Sequence, residues 1–322
     1  MNDIDDPLWN PAETGDADLR RLRTLLAPYG AAARDVGEWT PRATARGHGR
    51  RSVAAALAAG LAASLVLYAG YAWRLAWSDG KPWRVDASAA AAAPARLAPG
   101  ATLETGALES LTIAVARIGR IELSPQSTLR LVETRSGQHR VALDRGHLRA
   151  RIWAPPGFFG VEAGAAEVVD LGCDFDVWKG ADGRGTVYVR SGWVAYRLGA
   201  RDVLLPSGFA MDFDAQRAST PLRPDAAPAF VQAVRELERQ FEAADPLPAA
   251  ELADRVAAVA TDADAFTLLS LLTSHPSLAR GALYPRLART LGVAVGPAHR
   301  AAWLAGEPSA IDAWWQRMPT QP

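Results

Sequence analysis

The hydrophobic positions change their period along the chain. Residues Val53 to Trp73 read VAAALAAGLAASLVLYAGYAW, apolar almost throughout and without a charge. As a helix this stretch spans roughly 31 Å, the thickness of a bilayer's hydrocarbon core. Arg42, Arg46, Arg50 and Arg51 precede it, and Tyr68, Tyr71, Trp73 and Trp77 crowd its exit, as interfacial aromatics do. From about residue 100 the pattern shortens to runs rich in Val, Ile, Leu and Thr, separated by Gly, Pro, Asp or Ser. Past Pro221 it lengthens again to a helical period.

These patterns predict a tail over 1–50, a transmembrane helix over 53–73, a linker over 74–99, a β domain over 100–215 and a helical domain over 226–318. The fold class is mainly β, a sandwich or coiled β structure of many short strands, followed by a small α-helical bundle, with one transmembrane helix. Among the expected strands are Leu111–Ile118, Thr128–Glu133, Arg140–Leu143, His147–Trp153, Cys173–Trp178 and Gly192–Leu198. Ser88 to Pro99, rich in Ala and Pro, reads as linker. In the C-terminal part Phe230, Val234, Leu237 and Phe241 share one helix face, behind Pro228 at the first turn. The apolar Phe266–Leu272 segment, a Leu283–Leu291 segment and two short helices bearing Trp303 and the Trp314–Trp315 pair complete a bundle. The Trp pair is expected in its core.

Orientation follows from charge. Residues 33–52 carry Arg34, Arg42, Arg46, Arg50 and Arg51, against Arg74, Lys81 and Arg84 in 74–93, which places the N-terminus inside. In the tail, Leu19, Leu22, Leu25 and Leu26 fall on one face of a short helix, opposite Arg20, Arg21 and Arg23. Such a face docks on a partner or a membrane surface, or the segment is a loose tether. Within the span Ala56, Gly60 and Ser64 lie four apart. Small residues at that spacing let two helices pair as a homodimer, and an alanine-rich span also produces them by chance.

Composition narrows the functions. Lys and Arg number 35 and Asp and Glu 35, which argues against a nucleic-acid binder working through a broad basic face. Cys173 is the single cysteine, so the chain makes no internal disulfide and no cysteine-based zinc site. No Ser-His-Asp order, metal-ligand spacing or phosphate-binding glycine loop stands out, so neither an enzyme nor a cofactor is expected. Abundant Ala and Arg with scarce Lys point to a high-GC bacterial genome. In CDFDV the alternation turns Cys173, Phe175 and Val177 to the core and Asp174 and Asp176 to a polar face. Asp170, Asp174 and Asp176 are therefore expected on the polar face of strands beside a turn, and Cys173 as a small buried residue.

The segments RIGRIELSPQSTLRLVE, HRVALDRGHLRARIW, FGVEAGAAEVVDLGCDFDVW, GTVYVRSGWVAYR and VLLPSGFAM resemble, in order, the elements of the FecR domain family. Leu143, Gly146 and Ile152 fit its second element, and Gly172, Phe175 and Val177 its core. Val187, Val189, Gly192 and Val194 fit the fourth, and Leu205 and Gly208 the last. Cys173 stands where the family usually has Thr. The resemblance covers roughly residues 100–213 and implies a bacterial inner-membrane protein, N-terminus cytoplasmic and C-terminal domains periplasmic, that relays a signal to a sigma factor. Its expected partners are a sigma factor or other cytoplasmic regulator, a periplasmic protein or envelope ligand, and membrane lipid. The alternative is an envelope scaffolding or binding module with no sigma-factor role.

Overall fold

The structure, a computed structural model, describes residues 49–87, 94–199, 201–242, 247–293 and 296–318. The tail face Leu19, Leu22, Leu25 and Leu26 lies outside the described residues. The first element, α1 (Gly49–Leu75), contains the apolar stretch and runs slightly past it at both ends. Within α1, Ala56–Leu75 is long and apolar enough to cross a membrane, and none of its residues is buried, although Leu75 at its end packs half-buried against the strands. Its side chains Leu57, Leu61, Leu65, Val66 and Leu67 are 65% to 75% exposed.

Alternation builds the strands that follow. In β4 (Leu111–Val115) Leu111, Ile113 and Val115 are buried while Thr112 and Ala114 are only half-buried. Fourteen strands among the described residues form one connected network with two arms. One arm runs β2 (Arg96–Leu97), β1 (Trp83–Ala87), β4, β5 (Gly119–Leu123), the second half of β7 (Gln138–Ile152), β10 (Asp174–Lys179), β11 (Gly185–Ser191) and β14 (Ala210–Phe213). The other runs β3 (Thr102–Glu104), β6 (Thr128–Arg135), the first half of β7, β8 (Phe159–Ala163), β9 (Ala166–Asp170), β12 (Trp193–Leu198) and β13 (Arg201–Pro206). All pairings are antiparallel except β7 with β8. The inward residues of both arms, from Leu103 and Leu131 to Ile113 and Val187, make one continuous core.

Two expectations change here. Arg140–Leu143 and His147–Trp153 are not two strands but one long strand, β7, which leaves one arm and joins the other. The bend is at Gly146, whose φ of 99° is open to glycine. A Cβ there would also stand 2.1 Å from Ser127 Oγ, the hydroxyl that accepts the His147 backbone N–H at 2.9 Å. The linker expected over 74–99 is also too long. It contains β1 and β2, and Trp83 and Leu97 are fully buried in the core. The apolar side chains are sparse in an Ala- and Pro-rich stretch, but each fills space that the later strands leave between them.

The C-terminal helices follow the expected faces: α2 (Pro228–Glu242), α3 (Leu247–Val259), α4 (Ala265–Ser274), α5 (Leu283–Thr290), α6 (Pro297–Leu304) and α7 (Pro308–Trp315). Phe230, Val234, Leu237, Val256, Leu268, Leu272, Tyr284, Trp303 and Trp314 form their common core, with Trp315 packed on its rim. Residues 65–322 are one compact unit. Phe266 joins its two parts, with ring centroids 4.8 Å from Phe209 and 6.1 Å from Trp193 on the strands and 5.4 Å from Trp315 on α7. Beside it Thr267 donates to the Pro221 carbonyl at 2.8 Å.

Candidate functional site

The richest polar geometry outside the core lies where α1 meets the strands. The β4–β5 turn holds Ala116 at φ 47°, a left-handed conformation that costs an L-residue about 1–2 kcal/mol. This turn presents Arg117. Its Nη1 donates to the carbonyls of Trp73 at 2.6 Å and Ala76 at 3.0 Å. The last carbonyls of a helix have no partner within it and carry its negative end, so a guanidinium there satisfies both. The same guanidinium lies 3.9 Å from the Trp73 ring centroid. From the β6–β7 turn, Ser136 Oγ accepts the Trp77 N–H at 2.8 Å and donates to the Trp77 carbonyl at 3.0 Å. Gly80 N–H reaches the Thr134 carbonyl at 3.0 Å. Two hairpin turns thus grip the last turn of α1 and the residues after it.

A second polar region covers the outer face of β7, β10 and β11. Asp174 accepts from Arg149 at 2.8 and 2.7 Å and from Arg151 at 2.8 Å. Asp176 is fully buried and accepts from Arg190 at 2.5 Å and from His147 Nε2 at 2.8 Å. Burial alone would raise both carboxyls, but the hydrogen bonds from these partners outweigh it and hold each below the usual carboxylate range. The bond to Asp174 raises Arg149 in turn. Trp178 stacks on His147, 4.5 Å between centroids and nearly parallel, and keeps 38% of its surface exposed.

Asp174 and Asp176 thus lie on a polar strand face, opposite Phe175 and Val177, as the alternation predicts, but burial is deeper there than a polar face suggests. Asp170 and Asp176 are both fully buried, Asp176 with donors from neighbouring strands and Asp170 with donors from Cys173 across the Gly172 turn. They do not form a cation site: among the described residues no group of His, Cys, Asp and Glu could hold a metal ion. Asp170 Oδ1 accepts the Cys173 backbone N–H at 2.9 Å and its thiol at 2.6 Å, while Oδ2 has no partner. Burial pushes Asp170 up to about 6, against those two hydrogen bonds. Burial, then the neighbouring Asp170 charge, pushes the Cys173 thiol up, away from the reactive thiolate form. Another buried polar chain runs from Trp83 Nε1 to Thr134 Oγ1, 2.8 Å, and on to His139 Nδ1, 2.8 Å. Burial and then the Arg140 charge lower His139 to about 4.

The residues that carry the family resemblance sit in the core or at turns. Phe175 and Val177 are fully buried and Cys173 is 5% exposed. Gly172, Gly192 and Gly208 all take positive φ at turns. Of these Gly192 is also sterically fixed, since a Cβ would lie 2.3 Å from the Gly172 carbonyl. Ala56, Gly60 and Ser64 are exposed along α1, and Ser64 Oγ donates to the Gly60 carbonyl at 2.9 Å, so that hydroxyl is satisfied within its own helix. Sequence reasoning did not find Arg117 or Ser136. The unusual sign was aromatic: Trp73 and Trp77 lie four apart at a span exit, one helical turn that a single cation can bridge.

No family model matches the chain, and no curated protein matches it. Two crystal structures, at 2.50 Å and 1.65 Å resolution, of a protein from Parabacteroides distasonis ATCC 8503 described as a "putative anti-sigma factor" are similar to it. Each is 18% identical, with a TM-score of 0.33, over 41% of this chain. The match spans 63% of that protein's chain, less than two thirds of its length.

Proposed function

We propose that the chain is a single-pass regulatory protein of the inner membrane. The strands and helical bundle meet a signal on the periplasmic side, and α1 carries it to the cytoplasmic tail. The observation that carries this reading is the grip of Arg117 and Ser136 on the end of an apolar helix whose preceding turns lie exposed. A mere tether works with a slack joint. A transmitter needs its outer domain and the last turn of its helix to move together, because slack between them absorbs the displacement. The FecR resemblance supplies the output, control of a sigma factor by residues 1–50, with Leu19, Leu22, Leu25 and Leu26 as the contact face. The reading includes no catalytic step.

The test is co-purification. Full-length protein is extracted from membranes of cells that also express the sigma factors of the extracytoplasmic-function class from its own genome. Wild type is expected to retain one of them, and Leu22→Asp with Leu26→Asp to release it while staying in the membrane. Retention of none by the wild type removes the sigma-factor role. The outer face of Arg149, Arg151, Arg190 and Trp178 favours the second reading, an envelope-binding module. That reading requires residues on this face to govern co-sedimentation of the protein with cell-wall polymer.

A further inference from the structure

Around the grip on α1 is an open recess of about 360 Å³, lined by Trp73, Ala76, Trp77, Ser78, Lys81, Arg117 and Ser136. Its polar groups are incompletely used. Both hydrogen bonds of Arg117 leave from Nη1, so Nε and Nη2 have no acceptor among the described residues. Lys81 Nζ sits 4.6 Å from the Trp77 ring centroid and has no carboxylate or carbonyl partner among them. The nearby Asp79 is exposed and pairs with neither cation. This differs from the outer face of β7, β10 and β11, where Arg149, Arg151 and Arg190 are each ion-paired with Asp174 or Asp176. The Ser78 side chain adds an exposed hydroxyl without a hydrogen-bond partner among the described residues.

Position gives these groups a ligand. The recess begins in the last turn of the Ala56–Leu75 stretch, beside the exposed rings of Tyr68, Tyr71 and Trp73. Aromatic side chains at the end of a span mark the headgroup level. Phosphodiesters of the leaflet lie at that depth, and a guanidinium with two open donors matches a phosphate in geometry. The aromatic walls fit the glycerol and upper acyl carbons beside it.

We propose that this recess binds the phosphate of an anionic phospholipid headgroup, held by Arg117 Nε and Nη2, Lys81 Nζ and the Ser78 hydroxyl. The bound lipid bridges the membrane surface and the grip on α1. The inference rests on α1 spanning the membrane. It selects anionic over zwitterionic lipid because two cations there carry no protein counter-charge, each contributing about a fivefold preference.

The test uses the full-length protein in nanodiscs of phosphatidylcholine, with or without a minor fraction of phosphatidylglycerol, followed by native mass spectrometry of retained lipid. Wild type is expected to retain phosphatidylglycerol preferentially. Lys81→Gln leaves the Arg117 and Ser136 hydrogen bonds in place, so it should lower that enrichment about fivefold with an unchanged melting midpoint in pure phosphatidylcholine. Equal retention of the two lipids by wild type, or equal enrichment in wild type and variant, overturns the proposal. Displacement of the lipid by millimolar inorganic phosphate also overturns it, by showing a site for free anions. Failure of the protein to enter nanodiscs at all overturns the span together with this inference, whereas entry without lipid preference overturns the inference alone.

Discussion

Two helices of this chain are strongly apolar and meet opposite fates. In α4 every residue from Ala265 to Leu272 is buried, and its Thr267 hydroxyl is spent on the Pro221 carbonyl. In α1 the apolar stretch is as continuous, yet none of its residues is buried. Leaving a leucine-sized side chain in water costs about 1.5–3 kcal/mol. The five large aliphatic side chains of α1 together would cost on the order of 10 kcal/mol, as much as a whole domain's stability. Length separates the two helices. The ten residues of α4 are too short to cross a bilayer and can be enclosed by neighbours, whereas the twenty of Ala56–Leu75 match its thickness. One helix uses protein as its apolar solvent, and the other has the length and composition to use lipid.

The largest expected effect comes from putting charge into each helix. Leu61→Arg with Leu65→Arg in α1 should cost about 5–7 kcal/mol of insertion and shift the protein out of the membrane fraction. The melting of the outer unit should be unchanged. Leu268→Arg in α4 should do the reverse, keeping the protein in the membrane and unfolding the bundle. Next is Phe266→Ala, expected to destabilise by about 3–5 kcal/mol in urea titration. Because Phe266 touches both strands and helices, the transition should stay single. Separate transitions for strands and bundle in the wild type would show that the two parts are not one cooperative unit.

A smaller effect tests the buried polar groups. His139 has a folded-state value near 4 against an ordinary 6.5, so its contribution to stability is complete above pH 6.5 and is lost as the pH falls to 4. Asp170 has a folded-state value near 6 against 3.8, so its contribution is complete below 3.8 and is lost as the pH rises to 6. Between pH 4 and 6 the two oppose each other, each worth about 3 kcal/mol over its window. Asp174 and Asp176, held low, lose stability only in stronger acid. Asp170→Asn should make stability fall on acidification from pH 6.5 to 4, and His139→Gln should make it rise. Parallel pH profiles for both variants and the wild type would contradict this. The smallest effect is Arg117→Gln, about 1 kcal/mol in the outer unit's melting, since the guanidinium is half-exposed. Its larger signature should be faster amide exchange at Ala76 and Trp77.

Much of the fold was legible in the sequence because its signal is local. The uncharged run before Trp73 marked α1, the alternation of Cys173, Phe175 and Val177 marked an inward strand face, and the spacing of Phe230, Val234 and Leu237 marked α2. What stayed hidden depends on distant partners. Trp83 and Leu97 look like stray residues in a linker until strands later in the chain close around them. Asp176 looks solvated until Arg190 and His147 arrive from neighbouring strands. The grip on α1 joins residues 41 and 44 apart in sequence, through a turn whose left-handed Ala116 has no sequence signature. The pairing of Asp170 with Cys173 was within reach, three residues apart across a Gly172 turn.

The central claim is that lipid covers α1 while the strands and bundle stand beyond it on the periplasmic side. Alkaline carbonate washing of membranes bearing the full-length chain, with protease then added to intact spheroplasts, tests it most directly. The account predicts that the chain stays in the pellet through the wash and that external protease degrades everything after α1, leaving a protected N-terminal fragment. Release of the intact chain into the wash, or survival of the strands and bundle until the spheroplasts are lysed, would contradict it.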